Sequence, residues 1–217
     1  MDGARIMSSA VWVLAALTCV SFAASGAFVI PDGAMESAKA ALAHFLPTME
    51  EAPERFGFRK DEDLRKLELG EPIPVTTFDV AKLSASQNLD DAAALLNPVK
   101  YAWFPVSLGG RMRGVITIVR AKEGNKWLPE SFSKQGMAGV LEVFLKKYPS
   151  PKYQLAGVYA PSSQDMLLIV NGLGYNNLTA VPEDEATAQK LAEQPPRASV
   201  VLSALKANLD TSGPSLK

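Results

Sequence analysis

Two reactive residue types are almost missing from this chain of 217 residues, which holds one cysteine, Cys19, and one histidine, His44. Cys19 lies within the uncharged run from Ile6 to Pro31, so no thiol remains once that segment is set aside. Cysteine nucleophiles, disulfide frameworks, Cys/His zinc sites and paired-histidine metal centres all need residues that the rest of the chain lacks. An excess of charge is missing too. Lys+Arg number 22 against Asp+Glu 23, a net charge of -1, which gives no electrostatic argument for nucleic acid or an anionic membrane surface. The chain carries no internal repeat, and no cofactor motif is complete.

The N-terminus has the pattern of a secretory signal. Arg5 supplies a weak positive start, Val11 to Ala24 an apolar stretch, and small residues follow, with cleavage fitting after Ala23, Gly26 or Ala27. Residues 1–27 therefore read as a signal peptide, or as an anchor if uncleaved, because such a run is long enough for a hydrocarbon core about 30 Å thick. A lipid anchor on Cys19 fits poorly, since Thr18 stands where a small residue is usual. The expected location is secreted or periplasmic, with membrane attachment only through an uncleaved N-terminal segment. Residues 28–209 have the length of a single domain, and residues 210–217 read as a polar, flexible tail.

Periodicity and punctuation predict an α+β domain: a central antiparallel sheet built from hairpins and packed by amphipathic helices. A helix is expected over 33–46, capped by Asp32 and ended by Pro47, and it carries His44 with no evident partner. Further helical turns are expected from Met49 to Phe56, after Asp61, and over 89–97. Pro72 to Val80 reads as an edge strand, because its prolines cannot donate to a ladder.

The strongest local signal is the hairpin of residues 99–120 around Gly109-Gly110. Pairing Leu108 with Arg111 sets Trp103 opposite Ile116 and Tyr101 opposite Ile118, with Phe104 opposite Val115 on the other side. Both faces are apolar, so each needs a cover: a helix, another segment, a ligand or a partner. A short third strand is expected at Lys126 to Leu128. A helix follows over about 134–147 with the stripe Met137, Val140, Leu141, Phe144, Leu145 and Tyr148. Strands are expected at Tyr153 to Ala160, Met166 to Asn171 and Leu178 to Val181, then helices after Pro182 and after Pro195-Pro196.

Motifs for catalysis are thin. Ser131-x-x-Lys134 and Ser203-x-x-Lys206 have the spacing of an activated serine, yet chance explains both, Ser131 preceding a helix as caps do. Gly172-Leu173-Gly174 is a turn rather than a phosphate cradle. Glu183, Asp184 and Glu185 suit a helix start better than a calcium loop. Asn177-Leu178-Thr179 is a glycosylation acceptor pattern. Asp79, Glu130 and Asp165 lie near strand ends, where a hydrolase could use a pair of them.

From Phe56 to about Gly172 the chain resembles a loosely defined group of secreted bacterial proteins of unassigned function. The resemblance rests on FGF (56–58), LGEPIPV (69–75), WFPVSLGGRMRGVITI (103–118), NKW (125–127) and KKYPSPKY (146–153). It implies a small exported α+β protein and transfers no catalytic residue. The expectation is an exported, non-catalytic domain, accessory or inhibitor-like, that binds a protein or peptide through Trp103, Arg111, Arg113 and Tyr175 and needs no metal or cofactor. The alternatives are a hydrolase using carboxylates or a Ser/Lys pair, and a carrier of a small apolar ligand.

Overall fold

In the computed structural model, residues 28–122, 126–133, 135–150, 152–160, 165–171 and 176–211 are described. Residues 1–27, 123–125, 134, 151, 161–164, 172–175, which include Tyr175, and 212–217 lie outside them. Helix α1 (Ala34–Glu51) continues past Pro47 instead of stopping there, and no side chain caps it: Gly33, at φ 86°, leads in. The extra turn places Met49 at 0 % exposure beside Phe58 and Leu64. Burying such a side chain contributes about 1.5–3 kcal/mol, which by itself at most offsets a proline cost of about 3 kcal/mol, and Phe45 and Leu46 pack on the same cluster.

Short 3₁₀ turns at Pro53–Phe56 and Leu64–Lys66 lead to β1 (Glu68–Leu69) and β2 (Ile73–Thr77). Asp79 caps α2 (Val80–Ala85) by accepting from the Lys82 amide, and Asp91 caps a 3₁₀ turn, Ala92–Leu95, in the same way. The hairpin β3 (Tyr101–Leu108) and β4 (Arg111–Arg120) follows, then β5 (Trp127–Ser133) and α3 (Gln135–Lys147). The chain finishes with β6 (Tyr153–Tyr159), β7 (Asp165–Asn171), β8 (Asn176–Ala180), α4 (Glu185–Glu193) and α5 (Ala198–Thr211).

The strands form one sheet in the order β5-β4-β3-β2-β6-β7-β8, with β1 also paired to β3. Every described pairing is antiparallel except the joint between β2 and β6, which is parallel and covers only Val75 to Thr77 against Gly157 to Tyr159. The α+β architecture is as expected, but β2 is central rather than an edge strand. Its prolines fit because Pro72 precedes the strand and Pro74 sits where β2 pairs with β3 alone. The edge strand β5 is longer than the sequence suggested, and it takes in Ser131, which pairs with Thr117 rather than capping a helix.

The hairpin register is also displaced. Leu108 does pair with Arg111, but Met112 opposes Ser107 and Gly114 opposes Val106, leaving Arg113 as an extra residue in a β-bulge. Beyond it every pairing shifts by one: Trp103 faces Thr117, Tyr101 faces Val119, and Phe104 faces Ile116. The bulge is supported by an absence, since a Cβ at Gly114 would overlap the ring of Phe132. That ring gathers Phe45, Phe56 and Phe58 around it, at centroid distances of 5.8 to 6.4 Å.

Both apolar faces of the hairpin are covered by the chain itself. On one, α3 and α4 pack Val140, Leu141, Phe144 and Ala188 against Trp103, Val115 and Leu167. On the other, α1 lays Ala34, Ala38 and Ala41 on Phe104, Ile116 and Ile118. Towards β8 that same side is closed by α2, α5 and the 3₁₀ turn, with Leu83, Leu95 and Leu202 over Val158, Leu168 and Leu178.

Candidate functional site

Of the four residues expected to bind a partner, the structure brings two together. Arg111 and Arg113 stand at the hairpin tip, and both line a cleft of about 400 Å³ between the tip and helices α3 and α4. Their chemistry differs. Arg113 is the bulged residue, so its side chain leaves the ladder and lies over the Phe58 ring at 5.3 Å. Its Nη1 donates to Glu62 Oε1 at 2.6 Å, and its Nη2 to Glu62 Oε2 at 3.1 Å and to the Gly57 carbonyl at 2.8 Å. With side-chain exposures of 16 % and 11 %, the pair is half enclosed, and it pins the hairpin to the 57–66 segment. The Arg113 guanidinium, followed by the Arg59 amide, holds the Glu62 carboxyl below its ordinary value of 4.5. Arg113 is thus committed and Arg111 exposed.

Trp103 is no surface residue. It is 1 % exposed in the core under α3, and its Nε1 donates to Tyr159 Oη at 3.2 Å. Burial pushes the Tyr159 phenol up to about 12; the Trp103 bond opposes this, and the nearby Asp165 and Glu130 charges add to it. Tyr175 lies outside the described residues.

Of the catalytic alternatives, the Ser203/Lys206 pair is not assembled, and Lys134 of the other Ser/Lys pair lies outside the described residues. Ser203 Oγ donates to the Ser199 carbonyl at 2.7 Å, while Lys206 Nζ donates to the Ser86 carbonyl at 2.7 Å, so serine and lysine are engaged elsewhere. Asp79 is taken by its helix cap, where the Lys82 amide keeps its pKa low. Asp165 opposes Tyr159 in the ladder and is raised by burial, and Glu130 is an exposed edge-strand residue. His44 is exposed on α1, with Phe45 as its ring neighbour at 5.6 Å. Asn177 Nδ2 donates to the Pro195 and Pro196 carbonyls, which ties up the glycosylation acceptor. Among the described residues no group of three His, Cys, Asp or Glu side chains could hold a metal ion, and no helix is long and apolar enough to cross a membrane.

Sequence reasoning missed a second opening, at the parallel joint. N-terminal of Val75 and Gly157 the two strands separate, and a space of about 350 Å³ lies between them, lined by Pro72, Ile73 and Pro74 on one bank and Tyr153, Gln154 and Leu155 on the other. Tyr148 and Leu145 of the α3 segment form part of its wall, and Phe28 another part. The Tyr148 ring is fixed by a 2.6 Å hydrogen bond from its Oη to the Ala192 carbonyl and by edge contact with Tyr153 at 5.1 Å. Pro74 has no N–H to offer across the opening. On the β6 bank, successive backbone units point to opposite sides of the strand, so of Gln154 and Leu155 one turns to β7 and the other into the space. The signal was present in the sequence as two prolines flanking Ile73 in an otherwise β-branched strand. By sequence they mark an outer edge; in the fold they mark an inner one.

Comparison with protein families, with curated proteins and with solved structures finds no match to this chain.

Proposed function

We propose that this chain is an exported, non-catalytic domain that binds an extended segment of a protein or peptide by strand addition in the opening between β2 and β6. One observation carries the reading: a sheet that is otherwise continuous has an internal strand edge at Gln154 and Leu155 with no ladder partner on the β2 side among the described residues. An extended segment supplies the missing backbone partners, and the proline and tyrosine walls select its side chains. Ser203, Lys206 and Asp79, each engaged in another hydrogen bond, give no support to their part of the hydrolase alternative. Export rests on the apolar N-terminal stretch and on the resemblance to secreted proteins.

The test is selection of random seven-residue peptides against the purified domain, followed by NMR titration of those selected. The expected result is saturable shifts at Ile73, Gln154 and Leu155, lost in Tyr153→Ala while the amide spectrum stays folded. Peptides that bind Tyr153→Ala equally well, or that shift only residues elsewhere, would overturn the proposal.

A further inference from the structure

The hairpin-tip cleft shares no lining residue with the β2/β6 opening, and its charges can be paired off one by one. Its walls carry three cations, Arg111, Arg113 and Lys146, and two anions, Glu142 and Glu185. Arg113 is neutralised from outside by Glu62, and Lys146 by Glu142 at 2.6 Å. That leaves one guanidinium and one carboxylate, Arg111 and Glu185, each without a hydrogen bond or ion pair among the described residues. They belong to different elements, the tip of β4 and the first turn of α4, and the cleft lies between those elements.

The Glu185 carboxylate is positioned by a missing side chain. Gly139 of α3 is buried, and a Cβ there would overlap Glu185 Oε1, so the carboxylate lies against bare helix backbone at the edge of the cleft. Met112, Val143 and Gln189 also line the cleft. A volume of about 400 Å³ falls within the range of small-molecule sites.

We infer that this cleft binds a small zwitterion, a free amino acid or a short peptide, with its carboxylate on Arg111 and its ammonium on Glu185. A guanidinium fork pairs with a carboxylate in two parallel hydrogen bonds, and a carboxylate accepts from an ammonium. A ligand with one charge alone would leave the opposite wall charge unmatched. Because both partners face solvent, the affinity is weak, in the millimolar range.

The test is an amide-resolved NMR titration of the whole domain with glycine, triglycine, acetate and methylammonium at constant ionic strength, each to about 50 mM. Glycine or triglycine should give saturable shifts at Gly110, Arg111, Gly139 and Glu185, and whichever saturates at lower concentration identifies the amino acid or the peptide as the ligand. Acetate and methylammonium should not saturate. Arg111→Gln and Glu185→Gln should each weaken binding roughly tenfold. Gly139→Ala should weaken it too by displacing the Glu185 carboxylate, and the far-shifted core methyl signals report that the fold is kept. Absence of saturation with both zwitterions, equal binding of acetate, or binding indifferent to Arg111→Gln and Glu185→Gln would overturn the inference.

Discussion

Trp103 occupies the space that a side chain at residue 157 would need: a Cβ built on Gly157 falls 2.5 Å from Cζ3 and 2.6 Å from Cη2 of the indole. Trp103 belongs to β3 and Gly157 to β6, with β2 between them. The indole therefore reaches across the parallel joint and ends on Tyr159 of the same far strand. Because only three residue pairs join β2 to β6, this contact is a main tie between the two halves of the sheet.

Gly157→Ala should destabilise the domain by about 1–3 kcal/mol, the usual cost of forcing an atom into a close-packed site. Gly139→Ala meets only the flexible end of Glu185, so it should be neutral or stabilising by up to about 1 kcal/mol through helix propensity. Urea unfolding of the two variants checks the contrast. Equal effects would mean that Trp103 does not hold the joint.

Phe144 is 0 % exposed and stacks on Tyr148 with ring centroids 6.3 Å apart. Phe144→Ala should cost about 3–5 kcal/mol, the range for an aromatic truncated in a core. A loss under about 1 kcal/mol in denaturant titration would contradict the packing of α3 on the sheet.

Much of this core is legible in the sequence. The α3 stripe was readable because Val140, Leu141 and Phe144 recur at helical spacing, and β6 and β7 because their apolar runs lie between turn residues. What escaped was decided by contacts distant in sequence. Pro47 ends a helix on local rules, but Met49 meets Phe58 and Leu64. Leu108 and Arg111 set a register that the bulge at Arg113 then breaks, and the bulge depends on Gly114 leaving room for Phe132. Trp103 looked available because half the molecule that covers it comes later in the chain. The arginine pair at the tip was found because turn residues project; the β2/β6 opening was not, because the parallel joint links strands separated by the whole β3–β5 unit.

Glu62 gives the domain an acid-sensitive tie. Its folded pKa lies below the ordinary 4.5 because Arg113 donates to it, so its contribution is complete above pH 4.5 and declines as pH falls through the folded value. The urea midpoint should therefore drop below pH 4.5 more steeply in the wild type than in Glu62→Gln. Parallel curves would show that the Arg113–Glu62 pair adds no acid sensitivity.

Asp165 acts in the opposite sense. Burial raises its pKa, so its favourable contribution is complete below its ordinary 3.8 and is lost as pH rises through the folded value. Asp165→Asn should raise the unfolding midpoint at pH 7, with a gain that shrinks towards pH 3. A variant less stable than wild type at pH 7 would mean that the carboxylate has a partner which the asparagine cannot replace.

The account rests on an open strand edge inside the sheet, and residue-resolved hydrogen exchange measures it directly. In the free domain, one amide of the pair Gln154 and Leu155 should exchange at least about a hundredfold faster than Val158 and Leu168, because a backbone donor without a ladder partner opens at little cost. A selected peptide should then slow that same amide. If Gln154 and Leu155 are both as protected as Val158 in the free domain, the sheet is closed there and strand addition between β2 and β6 is wrong.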